Sequence, residues 1–187
     1  MKKILALIMA TIFIFTLSAC GSKEPVSDIK DSLELLTTVW NSYKEEDKFY
    51  VYGGDFSEAN NVMDAPGVFS IEDAEVLDST LAFPAASVSK IDGAASLVHM
   101  MNGNTFTAGA YHVADYNNTE SLVTEIKDNI DNRQWMCGFP EKLVILTVDD
   151  LYVVAVFGSA DIIDTFVSYV TAAYPQTVTA VNQSITH

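Results

Sequence analysis

The sequence predicts an α+β fold in which an antiparallel sheet with a C-terminal β-hairpin carries helices packed on a face. Two almost wholly apolar runs, residues 142–148 (KLVILTV) and 151–157 (LYVVAVF), flank Asp149-Asp150 and predict two central strands joined by a tight turn. Amphipathic stretches with apolar residues three and four positions apart lie before, between and after the strand-like segments. Helices and strands in this irregular order are typical of the α+β class.

The first element of the domain is predicted to be an amphipathic helix. Ser27 is the expected N-cap, and acidic residues follow it, where they favour the positive end of the helix dipole. The apolar stripe has spacings of 4, 3, 4 and 3 and consists of Ile29, Leu33, Leu36, Trp40 and Tyr43.

The middle of the chain gives weaker signals. Residues 49–52 (FYVY) predict a short strand before Gly53-Gly54, and the polar residues 55–70 predict a loop. A brief helix is expected from a cap at Ser70 through Leu77. Two further segments complete this part: residues 80–88, which fit an edge strand around Pro84, and residues 91–101, which predict a helix.

The C-terminal half is more regular. Residues 105–113 alternate in the manner of a strand, and Asn118 or Thr119 is expected to cap the next helix. Ser159 is expected to cap the last helix, which ends before Pro175. The apolar positions of these two helices are Leu122, Val123, Ile126 and Ile130 in the first, and Ile162, Ile163, Phe166, Val167 and Val170 in the second.

A charged and then apolar segment opens the sequence. Lys2 and Lys3 precede the apolar residues 4–17, and Leu17-Ser18-Ala19 stands directly before Cys20. Residues 4–19 number 16, which is short for a membrane-spanning helix of about 20 residues. The layout resembles the signal and lipobox of bacterial lipoproteins, and the resemblance implies that Cys20 is diacylated and becomes the mature N-terminus. An ordinary secretory signal cleaved after Ala19 is the alternative.

This interpretation divides the chain into four parts: a signal peptide (1–19), an acylated cysteine with its tether (20–26), one α+β domain (27–175) and a polar tail (176–187) that is a candidate for disorder. Each buried methylene of an acyl chain contributes about 0.8 kcal/mol, so two or three chains anchor a protein stably. The expected location is the extracytoplasmic face of a bacterial cell membrane, with the lipid bilayer as a partner through Cys20.

Charge narrows the choice of partners. Loss of Lys2 and Lys3 with the signal leaves 8 basic and 25 acidic residues, a balance of 8 − 25 = −17. Nucleic acids and anionic lipid headgroups need a basic surface, so neither is an expected partner. The acidity leaves a cationic partner or divalent metal open, although a solvated acidic surface is the ordinary interpretation. Acylation of Cys20 would leave Cys137 as the only thiol, and its bulky apolar neighbours predict a buried, inert side chain.

Catalytic motifs are absent from the sequence. It contains three histidines, His99, His112 and His187, and no nucleophile elbow, phosphate-binding loop or dinucleotide fingerprint. The histidines and cysteines lack the spacing of a transition-metal site. We therefore assign no catalytic residue, no metal ligand and no cofactor from the sequence.

Aromatic residues beside glycines and prolines are the candidate ligand contacts. Tyr50 and Tyr52 precede Gly53-Gly54, and Trp135 and Phe139 lie on the connection between a helix and a strand. Such side chains stack on sugars or peptides, or form an apolar patch for a protein. The competing interpretation is that they pack into the core.

The order of elements along the chain resembles a family of small uncharacterised bacterial lipoproteins with a domain of unknown function after the anchor. The elements that carry the resemblance are the lipobox, the first helix, the short acidic helix, the strand around Phe106–Val113, the hairpin and the closing helix. The resemblance covers roughly the mature chain and transfers no activity. The expected function is a membrane-anchored, non-enzymatic binding or interaction module whose ligand is a protein, peptide or glycan. An extracellular hydrolase or cell-wall-modifying enzyme is the alternative, and a solute-capture protein is a third hypothesis.

Overall fold

The computed structural model describes residues 24–136 and 138–186. Within them an antiparallel sheet has the strand order β2-β1-β4-β5-β7-β6-β8, and β3 also pairs with β4. The strands are β1 (Val51–Gly53), β2 (Val62–Met63), β3 (Gly67–Phe69), β4 (Ile91–His99), β5 (Phe106–Val113), β6 (Lys142–Val148), β7 (Tyr152–Gly158) and β8 (Val178–Ser184). The signal peptide, Cys20, Cys137 and His187 lie outside the described residues.

Helices cover both faces of the sheet. The α-helices are α1 (Ser32–Ser42), α2 (Ala74–Leu81), α3 (Thr119–Asp131) and α4 (Ala160–Ala173), and short 3-10 helices span Glu45–Asp47, Ala85–Lys90 and Tyr116–Asn118. One core lies between the sheet and the helices α1 and α4, and a second lies between the sheet and the helices α2 and α3. None of the helices in the described part of the chain is long and apolar enough to cross a membrane.

The predicted α+β class and the C-terminal hairpin are confirmed. Strands β6 and β7 pair antiparallel from Lys142↔Gly158 to Val148↔Tyr152, and all seven residues of β7 are buried. Asp149 and Asp150 close the turn with φ angles of 55° and 57°, the left-handed pair that a type I′ hairpin requires. The predicted helices α3 and α4 are also present, with Ile126 and Phe166 fully buried.

Helix α1 begins later than its pattern predicts. Asp31, rather than Ser27, is the N-cap, and its carboxylate accepts a hydrogen bond from the backbone N–H of Glu34. Ile29 therefore precedes the helix, although it still packs partly against the first core. The buried residues of the stripe include Leu36 and Trp40.

Two predictions in the middle of the chain are wrong in type. The predicted helix 91–101 is instead strand β4, which ends at His99, because this segment lies between β5 on one side and β1 and β3 on the other. Residues 55–70 are not all loop, since they contain the short strands β2 and β3. In both segments the secondary structure is determined by pairing with strands distant in sequence, and this pairing overrides the local conformational preference of the residues.

Three further corrections concern segments near helices and at the tail. The predicted helix from Ser70 to Leu77 is α2, which begins at Ala74 with Asp73 as its cap. The predicted edge strand 80–88 contains the end of α2 and much of the 3-10 helix Ala85–Lys90. The polar tail forms strand β8 on the outer side of β6, where its side chains stay mostly exposed and Ile185 is buried. An edge strand needs main-chain pairing more than apolar side chains, so polar composition is a poor guide there.

Different segments of the chain lie at the two ends of the sheet. We call the end with the Asp149-Asp150 turn the proximal end, because the first described residues lie there. Ser27 Oγ donates to Asp149 Oδ2 at 2.6 Å, and Tyr152 Oη donates to the Ile29 carbonyl at 2.8 Å. A tyrosine hydroxyl is protonated, and so can donate, at neutral pH, and burial raises the pKa of Tyr152 further, to about 12.

The distal end is the opposite end of the same strands. It carries the β4–β5 turn, residues 100–105, and the pairs Val51↔His99 and Phe106↔Gly158. Helix α1 runs from the proximal end, where Ser32 Oγ donates to the Gly93 carbonyl at 3.3 Å, toward the distal end. The chain after α1 therefore enters β1 from the distal side.

Candidate functional site

The four aromatic residues predicted as ligand contacts all lie at the distal end of the sheet. Tyr50 directly precedes β1 and is 74% exposed, and its carbonyl accepts a hydrogen bond from Met100 N at 3.0 Å. Tyr52 is half-buried against the second core, where its ring lies 5.0 Å from that of Phe56. The two tyrosines thus differ, since only Tyr50 is available as a freely exposed ring.

Trp135 and Phe139 lie on the other side of β4 and β5 from β1. The Trp135 ring packs 5.2 Å from the Phe157 ring, and the Arg133 guanidinium lies 5.6 Å from its centroid. Trp135 is therefore partly a core residue, as the competing interpretation held. Phe139 is 54% exposed and remains a surface candidate.

Two exposed methionines, which the sequence argument did not select, lie at the same end. Met101 is 81% exposed in the β4–β5 turn and Met136 is 80% exposed after Trp135. Asn104 Nδ2 donates to the carbonyls of Met136 and Gly138, at 3.4 and 3.1 Å, and so holds the two segments together. Met101 directly precedes Asn102-Gly103 and Met136 lies two residues before Gly138, so a nearby turn-forming residue was a usable signal for both methionines. We call Tyr50, Met101, Met136 and Phe139 the distal apolar residues.

A cleft beside Tyr50 has a volume of about 490 Å³. We call it the aromatic cleft, and its lining residues are Trp40, Glu45, Lys48, Phe49, Tyr50 and Asp64. A larger open groove of about 660 Å³ lies between α3 and β8 and contains Lys127 and Thr147, but no predicted contact residue lines it.

Most basic side chains of the described chain are already paired with carboxylates. Lys90 contacts Glu125, Lys127 contacts Asp131 at 2.6 Å, and Arg133 contacts Asp78 at 2.8 Å, while Lys142 pairs with Asp164. Hydrogen bonds from Lys90 and Ser87 lower the pKa of Glu125. Since the full sequence holds 25 acidic and 10 basic residues, the pairing leaves a surplus of carboxylates on the surface.

One acid–histidine pair lies at the proximal end. His112 Nδ1 and Asp92 Oδ1 are 2.5 Å apart, across the β4–β5 pairing. Ser32 lies nearby on α1, but its hydroxyl is buried and donates to the Gly93 carbonyl rather than to the histidine. Among the described residues, no group of three or more His, Cys, Asp or Glu side chains is placed to hold a metal ion.

Comparison with protein-family models, with curated proteins and with solved structures gives no match to this chain. The function must therefore be argued from the residues at the two ends of the sheet.

Proposed function

We propose that this protein is a lipid-anchored extracytoplasmic lipoprotein of bacteria that acts as a non-enzymatic binding module, with the distal end of the sheet as its binding surface. The signal-like segment and Cys20 support the anchor. The observation that carries the binding role is the position of the distal apolar residues, at the end of the sheet opposite the first described residues.

This arrangement suits a tethered protein. A tether from Cys20 would join the domain at the proximal end, where Ser27 and Ile29 are hydrogen-bonded to the β6–β7 hairpin. The central strands β4 to β7 have seven to nine residues, so at about 3.4 Å per residue their first and last Cα atoms are roughly 20–27 Å apart. The distal surface would then face away from the membrane, where a partner can reach it.

The exposed side chains favour a partner with apolar surface. Methionine is unbranched and adapts its shape to irregular partners, and tyrosine offers a flat ring with a polar tip. Exposed apolar residues on adjoining turns of an acidic domain are typical of an interaction site.

The anchor is tested by labelling bacteria with radioactive palmitate. The Cys20→Ala protein should carry no label and should be released or remain an unprocessed precursor. Cys137→Ala is the matched control, because it removes the other cysteine of the chain and should leave the label unchanged. A Cys20→Ala protein that is labelled and membrane-bound like the wild type would exclude lipidation at this residue.

The binding surface is tested by photo-crosslinking in intact cells. A benzoyl-phenylalanine residue placed at Met101 or Met136 should give defined adducts. The same probe at Val178 is the matched control, because this side chain is 58% exposed but lies toward the proximal end, opposite Thr147 of β6. Equal adducts from all three positions, or none from the two methionine positions, would contradict the assignment of the distal surface.

A further inference from the structure

We infer that the aromatic cleft is a binding site for an alkylammonium group, carried by a small organic cation. The inference rests on the proposed binding role of the distal end and adds to it the chemistry of one ligand. Aromatic side chains, two carboxylates and one lysine line the cleft.

Two of the three rings meet at nearly a right angle. Trp40 is only 5% exposed, so it forms the floor of the cleft. The ring of Phe49 is half-buried and lies 5.6 Å from the Trp40 ring, at an interplanar angle of 79°. Tyr50, at 74% exposed, supplies an outer wall. A cation over the face of an aromatic ring is attracted by the negative charge of that face, and this is how proteins recognise quaternary ammonium groups. The Phe49 ring already stacks on the His99 ring, with centroids 5.8 Å apart, so the exposed Tyr50 ring is the one most available to a ligand.

The floor and the mouth of the cleft are tied together by the backbone of Asp64. Trp40 Nε1 donates to the Asp64 carbonyl at 3.0 Å, and Asp64 N donates to the Val51 carbonyl at 2.9 Å. Asp64 has a φ of 57°, a left-handed conformation that aspartate tolerates better than most residues. These contacts hold an exposed carboxylate beside the rings without using its side-chain oxygens.

Charge at the mouth favours a cation over an anion. Glu45 and Asp64 contribute two formal negative charges and Lys48 one positive charge, so the lining carries −2 + 1 = −1. The Lys48 ammonium lies 3.4 Å from the Glu45 carboxylate in an exposed ion pair, so one of the two carboxylates already has a cationic partner. A ligand cation would compete with Lys48 for Glu45.

The experiment uses the full chain in a maltoside detergent, which carries no ammonium group, and follows ¹H–¹⁵N spectra during titration. The sequence contains two tryptophans, so the Trp40 indole N–H reports on the cleft and the Trp135 signal is an internal control. The probes are choline and cadaverine, which distinguish a quaternary from a primary ammonium ligand. The neutral comparison is 3,3-dimethylbutan-1-ol, which has the shape of choline without its charge.

The expected result is a saturable shift of the Trp40 signal with choline, cadaverine or both, and little shift with the neutral alcohol. Tyr50→Ala and Glu45→Gln should each weaken binding by roughly two- to fivefold, because each removes one attraction for the cation. Lys48→Met should tighten binding, because it removes a competing ammonium. Glu46→Gln is the matched control, since Glu46 is a neighbouring exposed carboxylate that does not line the cleft.

Three outcomes would overturn the inference: no shift with either cation, an equal shift with the neutral alcohol, or weaker binding of cations by Lys48→Met. An equal response to the alcohol would indicate a site for apolar or sugar ligands. None of these outcomes bears on crosslinking at Met101 and Met136, so failure of the cation site is distinguishable from failure of the distal binding surface.

Discussion

Replacement of Tyr111 by Phe should stabilise the protein. The Tyr111 side chain is fully buried in the second core, where its ring lies 4.6 Å from that of Phe83. Its hydroxyl has no hydrogen-bond partner among the residues that the structure describes. Burial also raises the pKa of the Tyr111 hydroxyl, so ionisation offers no relief. Phenylalanine keeps the ring and removes the unpartnered polar atom.

The magnitude follows from the cost of a buried polar group without a hydrogen bond, which is about 1–3 kcal/mol. We expect a gain of about 1–2 kcal/mol for Tyr111→Phe, because some packing of the oxygen atom is lost with it. In a chain of this length such a gain raises the Tm by roughly 2–8 °C. Tyr152→Phe is the matched control: Tyr152 is as deeply buried, but its hydroxyl donates to Ile29, so its loss should cost about 1 kcal/mol.

A substitution at Gly109 tests independently whether the Tyr111 hydroxyl lies above this glycine. A methyl group at this position would overlap the Tyr111 hydroxyl and lie 2.6 Å from Tyr111 Cζ. Gly109→Ala should therefore cost about 1–3 kcal/mol in the wild type and less in the Tyr111→Phe background, because part of the overlap is gone.

The assay is urea and thermal unfolding at pH 7 of the wild type, the two single variants, the double variant and the Tyr152→Phe control. A loss of 1 kcal/mol or more for Tyr111→Phe would refute the argument, because it would mean that the hydroxyl has a partner in solution. Equal costs of Gly109→Ala in both backgrounds would show that the hydroxyl does not occupy the space above the glycine.

Two further changes test the turns. Burial acts to raise the pKa of Asp55, but hydrogen bonds from Ser57, Asn60 and Ser70 outweigh it and lower the pKa to about 2, from 3.8. The contribution of the Asp55 carboxylate to stability is therefore full above pH 4 and disappears as the pH falls through 2. Asp55→Asn should lower the free energy of unfolding by about 1 kcal/mol at pH 7 and by almost nothing near pH 2. Urea unfolding at both pH values measures the difference. Asp150→Gly should raise stability by about 0.5–1 kcal/mol in thermal unfolding, because residue 150 has a φ of 57°; a lower Tm would contradict this.

The parts of the fold that the sequence predicts well are those decided by local pattern. Helices α3 and α4 follow apolar spacings that bury residues such as Ile126 and Phe166, and the paired strands β6 and β7 follow two apolar runs with a two-residue turn. In each case the signal lies within about 15 neighbouring residues, so the pattern and the final environment agree.

Strand β4 shows why the rest was harder to predict. Its small residues Ala94, Ala95 and Ser96 suit a helix in isolation, yet all three are buried in the sheet. Ser96 Oγ accepts from Gly54 N at 2.8 Å and donates to the Gly54 carbonyl at 3.1 Å, a pairing across 42 residues. Such a partner cannot be read from local periodicity, because the contact exists only after β1 has docked.

The glycines at positions 53 and 67 mark a close approach of two backbone segments. A side chain at Gly53 would overlap the backbone of Gly67, and one at Gly67 would lie 2.6 Å from Gly53 C, so the two segments approach as closely as backbones can. Glycine inside a strand-like segment often marks such an approach. The presence of glycine at both positions 53 and 67 would have indicated that the segment 55–70, predicted as a loop, returns to the sheet.

The candidate site emerges from topology rather than from any motif. Helix α1 carries the chain from the proximal to the distal end, so the aromatic residues that follow it must lie far from the tether side. The β4–β5 turn and the segment before β6 reach the same end because the sheet is antiparallel, and they bring Met101 and Met136 with them. Sequence alone identified Tyr50 and Phe139 as chemically suited to contact a ligand. Their shared location, opposite the end that a lipid anchor would occupy, follows only from the order of the strands.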